Sequence, residues 1–394
     1  MYRKKALSAV AAIGATALLT LTACGSSDDG SGTAGDAAGA GNSGGSASAK
    51  VLVVGDFTST IPFTLPEIAP MVKGALKDLP DVKVETCDAK GTAPGFLACE
   101  QQAVVDKVAA VVLGFSGGGQ DMSILTKAGI PAIGNGVANV KNSYPISESF
   151  SLYVALGAGL QQSGCSKLGI IYMDGSDALV DNIKNGFEGK GGKEVARAAV
   201  AANAADLSPA VAKVTEAGAE CVAVSLPPAG GAQALTALRQ SGKTVTVGGI
   251  AAVFSQQVLD ALGPLADGLL VIDSKLSPAD DAPGIQEAKA TLQATDPKAP
   301  FTEQAVTAFV AAKIVHAALA SATGDVDAKT FATALDGLRG VDMAGVIPAW
   351  SSEPLASKSF PQIFNHYGIT YEIAGGKPVK KGDFYDTSDI LIGK

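Results

Sequence analysis

The chain has 394 residues, 47% of them hydrophobic, 17% charged and 5% aromatic, with a formal net charge of −8. That length exceeds one small core and suits two α/β domains, and the composition excludes a disordered chain. An acidic body without a basic patch excludes nucleic acid as a partner.

Arg3, Lys4 and Lys5 precede an apolar run over 6–21, then Leu21-Thr22-Ala23-Cys24. A positive start followed by an apolar stretch too short and too rich in small residues to span a bilayer reads as a signal peptide, 1–24. Leu-Thr-Ala-Cys resembles a bacterial lipobox. The resemblance implies a lipid on Cys24, the first mature residue, holding the protein on the outer face of the cytoplasmic membrane. The alternative is an ordinary signal peptide with a chance cysteine. Residues 25–49 contain only Gly, Ser, Ala, Thr, Asp and Asn. They cannot bury a core and are expected to form a disordered leash.

From Lys50 the pattern alternates strand and helix. Strands are expected at 51–54, 82–85, 109–115 and 130–133, with helices at 66–79 and 94–106. The stretch 111–121 reads V-V-L-G-F-S-G-G-G-Q-D. Its apolar run is a buried parallel strand, Gly117, Gly118 and Gly119 form a turn, and a helix is expected over 120–127, stopped by Gly129 and Pro131. The Ser116 hydroxyl, backbone N–H groups and a helix N-terminus would then converge on a point that suits an anion or a carbonyl oxygen. The alternative is a bare glycine-rich turn. A second run of the same kind follows, with strands at 168–173, 221–226, 244–247 and 269–272. Its helices are expected at 152–163, 178–188, 207–217, 231–240 and 255–262. Helices over 302–323 and 328–338 and an irregular aromatic tail complete the chain. This rhythm predicts two doubly wound parallel sheets with ligands beyond the carboxyl ends of the strands.

The mature chain resembles the type I periplasmic binding proteins, specifically the leucine/isoleucine/valine-binding group of ABC-importer receptors. The features that carry the likeness are K-V-L-V-V-G-D-F-T, G-F-S-G-G-G-Q, I-P-A-I-G-N-G-V, K-L-G-I-I-Y-M-D, G-L-L-V-I-D and E-Q-A-V-T-A-F-V-A-A-K-I-V, in that order. The resemblance implies an α/β fold of two Rossmann-like lobes joined by three hinge crossings, expected near 147–151, 273–277 and 348–352. Lobe one would be 50–149 plus 276–350, and lobe two 150–275 plus 351–394. It also implies a small-molecule ligand between closing lobes, ABC permease subunits as partners, membrane attachment through the lipid alone, and no cofactor. Carried over residue by residue, Ser116, Gly117 and Gly118 would grip a ligand carboxylate or carbonyl. Gly136, Val137 and Ala138 match the next strand-end contact, Asp174 to Asp177 the first contact loop of lobe two, and Pro228 and Ala229 the second. Gln304 matches a position at the head of a long helix, and Phe57 to Phe63 a wall after the first strand. The chain departs from amino-acid-binding relatives after the third strand of lobe two. There Ile250, Ala251 and Ala252 stand where an acidic residue meets a ligand ammonium, and the expected aromatic residues near the lobe-two contact loops are missing. The expected ligand is therefore a small, mainly apolar molecule with a carboxylate or carbonyl end.

Other chemistries compete. Gly114-Phe115-Ser116-Gly117-Gly118 fits the G-x-S-x-G nucleophile elbow of a serine hydrolase. The same pattern recurs at 41–45 in the leash, and the two histidines, His316 and His366, read as packed or surface residues. They also leave no metal cluster. No phosphate-binding G-x-x-x-x-G-K-[ST] is present, so an importer's ATPase is another chain. A ligand-sensing lipoprotein of the same fold, with a separate signalling partner, is a further alternative. Beyond Cys24, four cysteines remain in an exported chain. Cys87 ends the second strand and Cys99 lies on the next helix, while Cys165 and Cys221 precede neighbouring strands. The expected bridges are Cys87–Cys99 and Cys165–Cys221, the alternative being four reduced thiols.

Overall fold

The computed structural model describes residues 46–59, 64–117, 119–147, 149–355 and 362–393. The expected signal peptide with Cys24, the leash up to residue 45, residues 60–63 of the expected wall, and Gly118 lie outside the described residues.

The first run comprises β1 (Ala47–Gly55), α1 (Ile68–Ala75), β2 (Val82–Asp88), α2 (Ala93–Val105), β3 (Ala110–Leu113), α3 (Ser123–Ala128), β4 (Ala132–Gly134) and β5 (Ser143–Pro145). The strands pair in parallel in the order β2-β1-β3-β4-β5. Val51 to Val53 and Ala110 to Val112 are fully buried, as unbroken apolar runs covered on both faces should be. β2 is an edge strand, and its V-K-V-E-T sequence is only partly covered. β1 begins four residues earlier than the pattern of 51–54 suggests, inside the expected leash. The reason is tertiary: Ala47 to Ala49 pair with a strand from far along the chain, and Ala47 and Ala49 are buried.

The second run comprises α4 (Ser149–Gln162), β6 (Lys167–Met173), α5 (Asp177–Glu188), β7 (Lys193–Val200), α6 (Ser208–Glu216), β8 (Cys221–Ser225), α7 (Pro228–Gln240), β9 (Thr246–Ile250), α8 (Gln256–Leu262) and β10 (Leu270–Asp273). Its parallel order is β7-β6-β8-β9-β10. α4 and α5 meet backbone to backbone. A Cβ on Gly157 would strike the Ile183 carbonyl, and one on Gly186 the Val154 carbonyl, so glycine is what permits this approach.

The chain then returns to the first sheet with α9 (Pro283–Thr295), α10 (Glu303–Ala320), β11 (Gly324–Val326) and α11 (Ala328–Asp336). α10 packs on α1, β3 and β4, and β11 is the strand that extends β1. The Thr302 hydroxyl caps α10 by accepting from the Gln304 and Ala305 N–H groups, at 3.1 and 3.3 Å. Finally β12 (Tyr367–Ala374), β13 (Lys377–Lys380), β14 (Tyr385–Asp386) and α12 (Ser388–Leu391) rejoin the second sheet, where β12 runs antiparallel to β10. The result is two α/β lobes with three crossings between them.

The chain passes from one sheet to the other between β5 and α4, again just after β10, and a third time before β12. After Trp350 the chain still belongs to lobe one: Leu355 bridges Ile363, the Gln362 N–H donates to the Ala138 carbonyl at 3.1 Å, and Phe364 packs on Tyr144 with ring centroids 4.9 Å apart. The crossing is at 364–366, not 348–352, because aromatic packing of Tyr144, Trp350 and Phe364 holds the segment to lobe one. Disulfides join Cys87 to Cys99 and Cys165 to Cys221, with Cα atoms 5.5 and 5.9 Å apart. They pin β2 to α2 and β8 to the entry of β6.

Candidate functional site

Chain direction places the site. β5 runs straight into the first crossing and β10 into the second, so both lie at the carboxyl edges of their sheets. The strand-end loops of the two lobes therefore flank the crossings. Asn365, on the third crossing and 3% exposed, donates from Nδ2 to the Ile146 carbonyl at 3.0 Å and the Ser274 carbonyl at 2.8 Å. One side chain thus ties all three crossings. The Ser147 and Ser274 hydroxyls add a contact of 2.8 Å.

Beside this seam, buried Lys275 holds Asp273 at 3.0 Å and Glu303, at the head of α10, at 3.2 Å. Burial opposes the ammonium charge, yet the two carboxylates hold Lys275 above its ordinary range. Burial, with Asp273 close by, pushes Glu303 up.

On the lobe-one edge, the expected ligand grip is filled from within. The Asp56 carboxylate, directly after β1, accepts from Ser116 Oγ at 3.3 Å, the Gly117 N–H at 2.8 Å and the Gly91 N–H at 2.8 Å. Asp56 is 0% exposed. The expected helix N-terminus is also displaced. α3 starts at Ser123, whose N–H donates to Asp121, while Gln120 turns back to the Gly114 carbonyl at 3.1 Å. The convergence of hydroxyl, glycine N–H groups and helix start on an open anion site is thereby corrected: Ser116 Oγ and the Gly117 N–H serve Asp56, and the Gly119 N–H donates to the Ser116 carbonyl at 3.3 Å.

The neighbouring loops show the same economy of donors. Asp88 accepts from the N–H groups of Phe57, Thr58 and Lys90, at 3.0, 3.1 and 2.9 Å, and from the Thr58 hydroxyl. Burial opposes its charge, but those donors hold its carboxyl below the usual range. Gly136 sits against Ser143 Oγ, where a Cβ would collide, and the same oxygen accepts from the Val137 N–H at 3.0 Å. Ala138 is buried, with its carbonyl taken by Gln362. Gln304 Oε1 accepts from Asn135 Nδ2 at 2.8 Å, joining the end of β4 to α10. Glu67, at the start of α1, accepts from the Thr302 hydroxyl, and burial raises its carboxyl.

On the lobe-two edge, Asp174 and Asp177 are exposed, and Asp177 accepts from the Tyr172 hydroxyl at 2.8 Å. Ser225 donates to the Tyr153 hydroxyl at 3.2 Å. Tyr172, at the end of β6, and Tyr153, on α4, thus lie beside these two loops. Pro228 and Ala229 are the exposed first residues of α7, which starts three residues earlier than 231. Ile250 ends β9 and is buried.

The histidines lie away from Ser116. His316 Nε2 meets Asp78 at 2.9 Å, and His366 Nε2 lies 3.5 Å from Asp386. Burial lowers the His366 pKa. Among the described residues no group of His, Cys, Asp and Glu could hold a metal ion, and no helix is long and apolar enough to cross a membrane.

Sequence reasoning passed over Asp56, Asn365 and Lys275. Asp56 meets this turn because β1 and β3 pair with Val54 opposite Leu113, which puts Asp56 beside the Phe115–Ser116 step.

A family model described as periplasmic binding protein matches residues 50–354. Three solved structures share the fold. A solute-binding protein of an ABC transporter from R. palustris, in complex with 4-hydroxybenzoate, is 18% identical with a TM-score of 0.67, over 86% of this chain and 97% of that one. A leucine-binding protein from Thermotoga maritima is 14% identical with a TM-score of 0.65, over 86% and 99%. A fatty acid ABC transporter substrate-binding protein from Thermomonospora curvata is 15% identical with a TM-score of 0.65, over 87% and 95%. No curated protein matches the sequence.

Proposed function

Because the chain belongs to the periplasmic binding protein family, we propose that it is the solute-binding lipoprotein of an ABC importer, capturing a small organic solute between two closing lobes. The observation that carries this reading is the seam of three crossings tied by Asn365 between the carboxyl edges of two parallel sheets. A narrow seam of this kind lets two rigid lobes rotate about a few residues. The solved relatives with leucine, 4-hydroxybenzoate and fatty acid in their descriptions support a small organic ligand. The lipobox and leash support attachment through Cys24, and permease subunits are the partners that an importer requires. Ser116 donates to Asp56, and both histidines are engaged elsewhere. That arrangement favours binding over serine hydrolysis by a triad, which needs a histidine on the hydroxyl.

Mass spectrometry of small molecules released by denaturing the purified protein tests the reading. A stoichiometric organic solute is expected. Protein that carries none, and whose melting temperature no solute in a broad panel shifts, would count against it. Cys24→Ala should move the protein from the membrane fraction to the medium or leave an unprocessed precursor. Wild-type protein processed normally and found free in the medium would remove the lipid anchor from the proposal.

A further inference from the structure

We propose that Asp56 is a specificity-determining residue. Its carboxylate fills the strand-end anion cradle of lobe one from within, so the cleft takes solutes that present a neutral hydrogen-bonding end there and rejects free carboxylates. This rests on the solute-binding reading above and deepens it.

Three donors from two separate loops converge on Asp56: Ser116 Oγ and the Gly117 N–H from the turn after β3, and the Gly91 N–H from the loop after β2. A hydroxyl and two backbone N–H groups aimed at one point are what a carboxylate requires, and a carboxylate is there. It belongs to the chain, and strand pairing fixes it. Val54 lies opposite Leu113, so Asp56 cannot leave the Ser116 turn without disturbing β1 or β3. Those three bonds use most of the roughly four lone-pair positions that a carboxylate offers. Asp88 removes a second set of donors, the N–H groups of Phe57, Thr58 and Lys90.

A ligand carboxylate brought to this edge would therefore find Ser116 Oγ and the N–H groups of Phe57, Thr58, Lys90, Gly91 and Gly117 engaged, and two carboxylates already in place. Among the described residues at the ends of β1, β2 and β3 and in the loops that follow, Lys90 is the one basic side chain, against Asp56, Glu67, Asp88 and Asp121. Like charges at close range disfavour the ionised ligand. A hydroxyl or carboxamide carries no such penalty.

The test has two arms, both on the full mature chain. Asp56→Ala leaves an empty cradle with three donors. Sodium formate should refill it and raise the melting temperature of the variant by about 2 °C or more over sodium chloride at equal ionic strength, while leaving wild type unchanged. No formate-specific shift in the variant, or an equal shift in wild type, overturns the proposal. Should Asp56→Ala fail to fold in either salt, Asp56→Asn carries the test, because it fills the volume without the charge. It should bind benzoate or leucine at least about tenfold more tightly than wild type does. Equal affinities overturn the proposal. In the second arm, the solute released from wild type is identified. A neutral or amide-ended molecule agrees with the proposal. A free carboxylate overturns it while upholding the solute-binding reading. Absence of any solute would tell against that reading, and the formate titration would still decide the role of Asp56.

Discussion

Replacing Asn365 with alanine should destabilise the folded protein by about 2–4 kcal/mol, far more than its single side-chain amide suggests. The side chain is 3% exposed and donates at 3.0 and 2.8 Å to the carbonyls of Ile146 and Ser274, on the two other crossings. Each of the two carbonyls deprived of its donor in a dry seam costs about 1–2 kcal/mol. Asn365→Asp should do worse above about pH 4, where a carboxylate would replace a donor and face two carbonyl oxygens. Urea unfolding at constant temperature, with the slope of the transition compared between variants, measures the loss. An Asn365→Ala variant within about 0.5 kcal/mol of wild type would refute the view that this residue holds the crossings together, since exposed sites without special contacts fall in that range.

Other outcomes follow from the same structure. Glu100 on α2 is 2% exposed, accepts from the Leu125 N–H at 3.4 Å, and is pushed by burial up to about 7. Its folded pKa lies above the unfolded value, so its contribution to stability is full below about pH 4.5 and is lost as pH rises through about 7. Glu100→Gln should flatten that slope and stabilise the protein at pH 8 by roughly 1–3 kcal/mol, read from melting curves across pH; an unchanged slope would show that Glu100 is not its source. Lys275→Met strands buried Asp273 and half-buried Glu303 without their cation and should cost about 3–5 kcal/mol at pH 7 in chemical denaturation, with a loss under 1 kcal/mol counting against this ion cluster. Opening the Cys165–Cys221 bridge with a double serine variant should cost about 4 kcal/mol, and the Cys87–Cys99 equivalent about 3 kcal/mol, because the bridges close loops of 56 and 12 residues' separation. Recovery of four free thiols from the native protein by peptide mapping would show both bridges absent.

What could be read from sequence divides along a physical line. β1 and β3 are legible because strands covered on both faces must be apolar throughout, and their runs are. β7 is not, because an edge strand reading K-E-V-A-R-A-A-V needs only partial cover and carries little pattern. α9 is a different kind of miss: Ile285, Ala288 and Leu292 lie on one buried face at helical spacing, and Pro283 marks its start. The signal for this helix is present in the sequence. At the site, Ser116 and its glycines announce a tight strand-end turn, and the structure has one. Whether that turn is open depends on Asp56, 60 residues away, and that contact exists only once β1 and β3 are paired in register. Asn365 is further removed, 91 residues from Ser274 and 219 from Ile146. No local period encodes such contacts. They follow from the topology, which brings the carboxyl ends of distant strands to one edge and so decides which polar residues must satisfy one another. The fold of a two-lobed binding protein is thus written in repeating local patterns, whereas the polarity of its cleft is written in a few single residues that only the assembled sheets bring together. A cradle of donors read from one loop is therefore half an argument. The other half is the residue at the end of the adjacent strand, and here that residue is an aspartate.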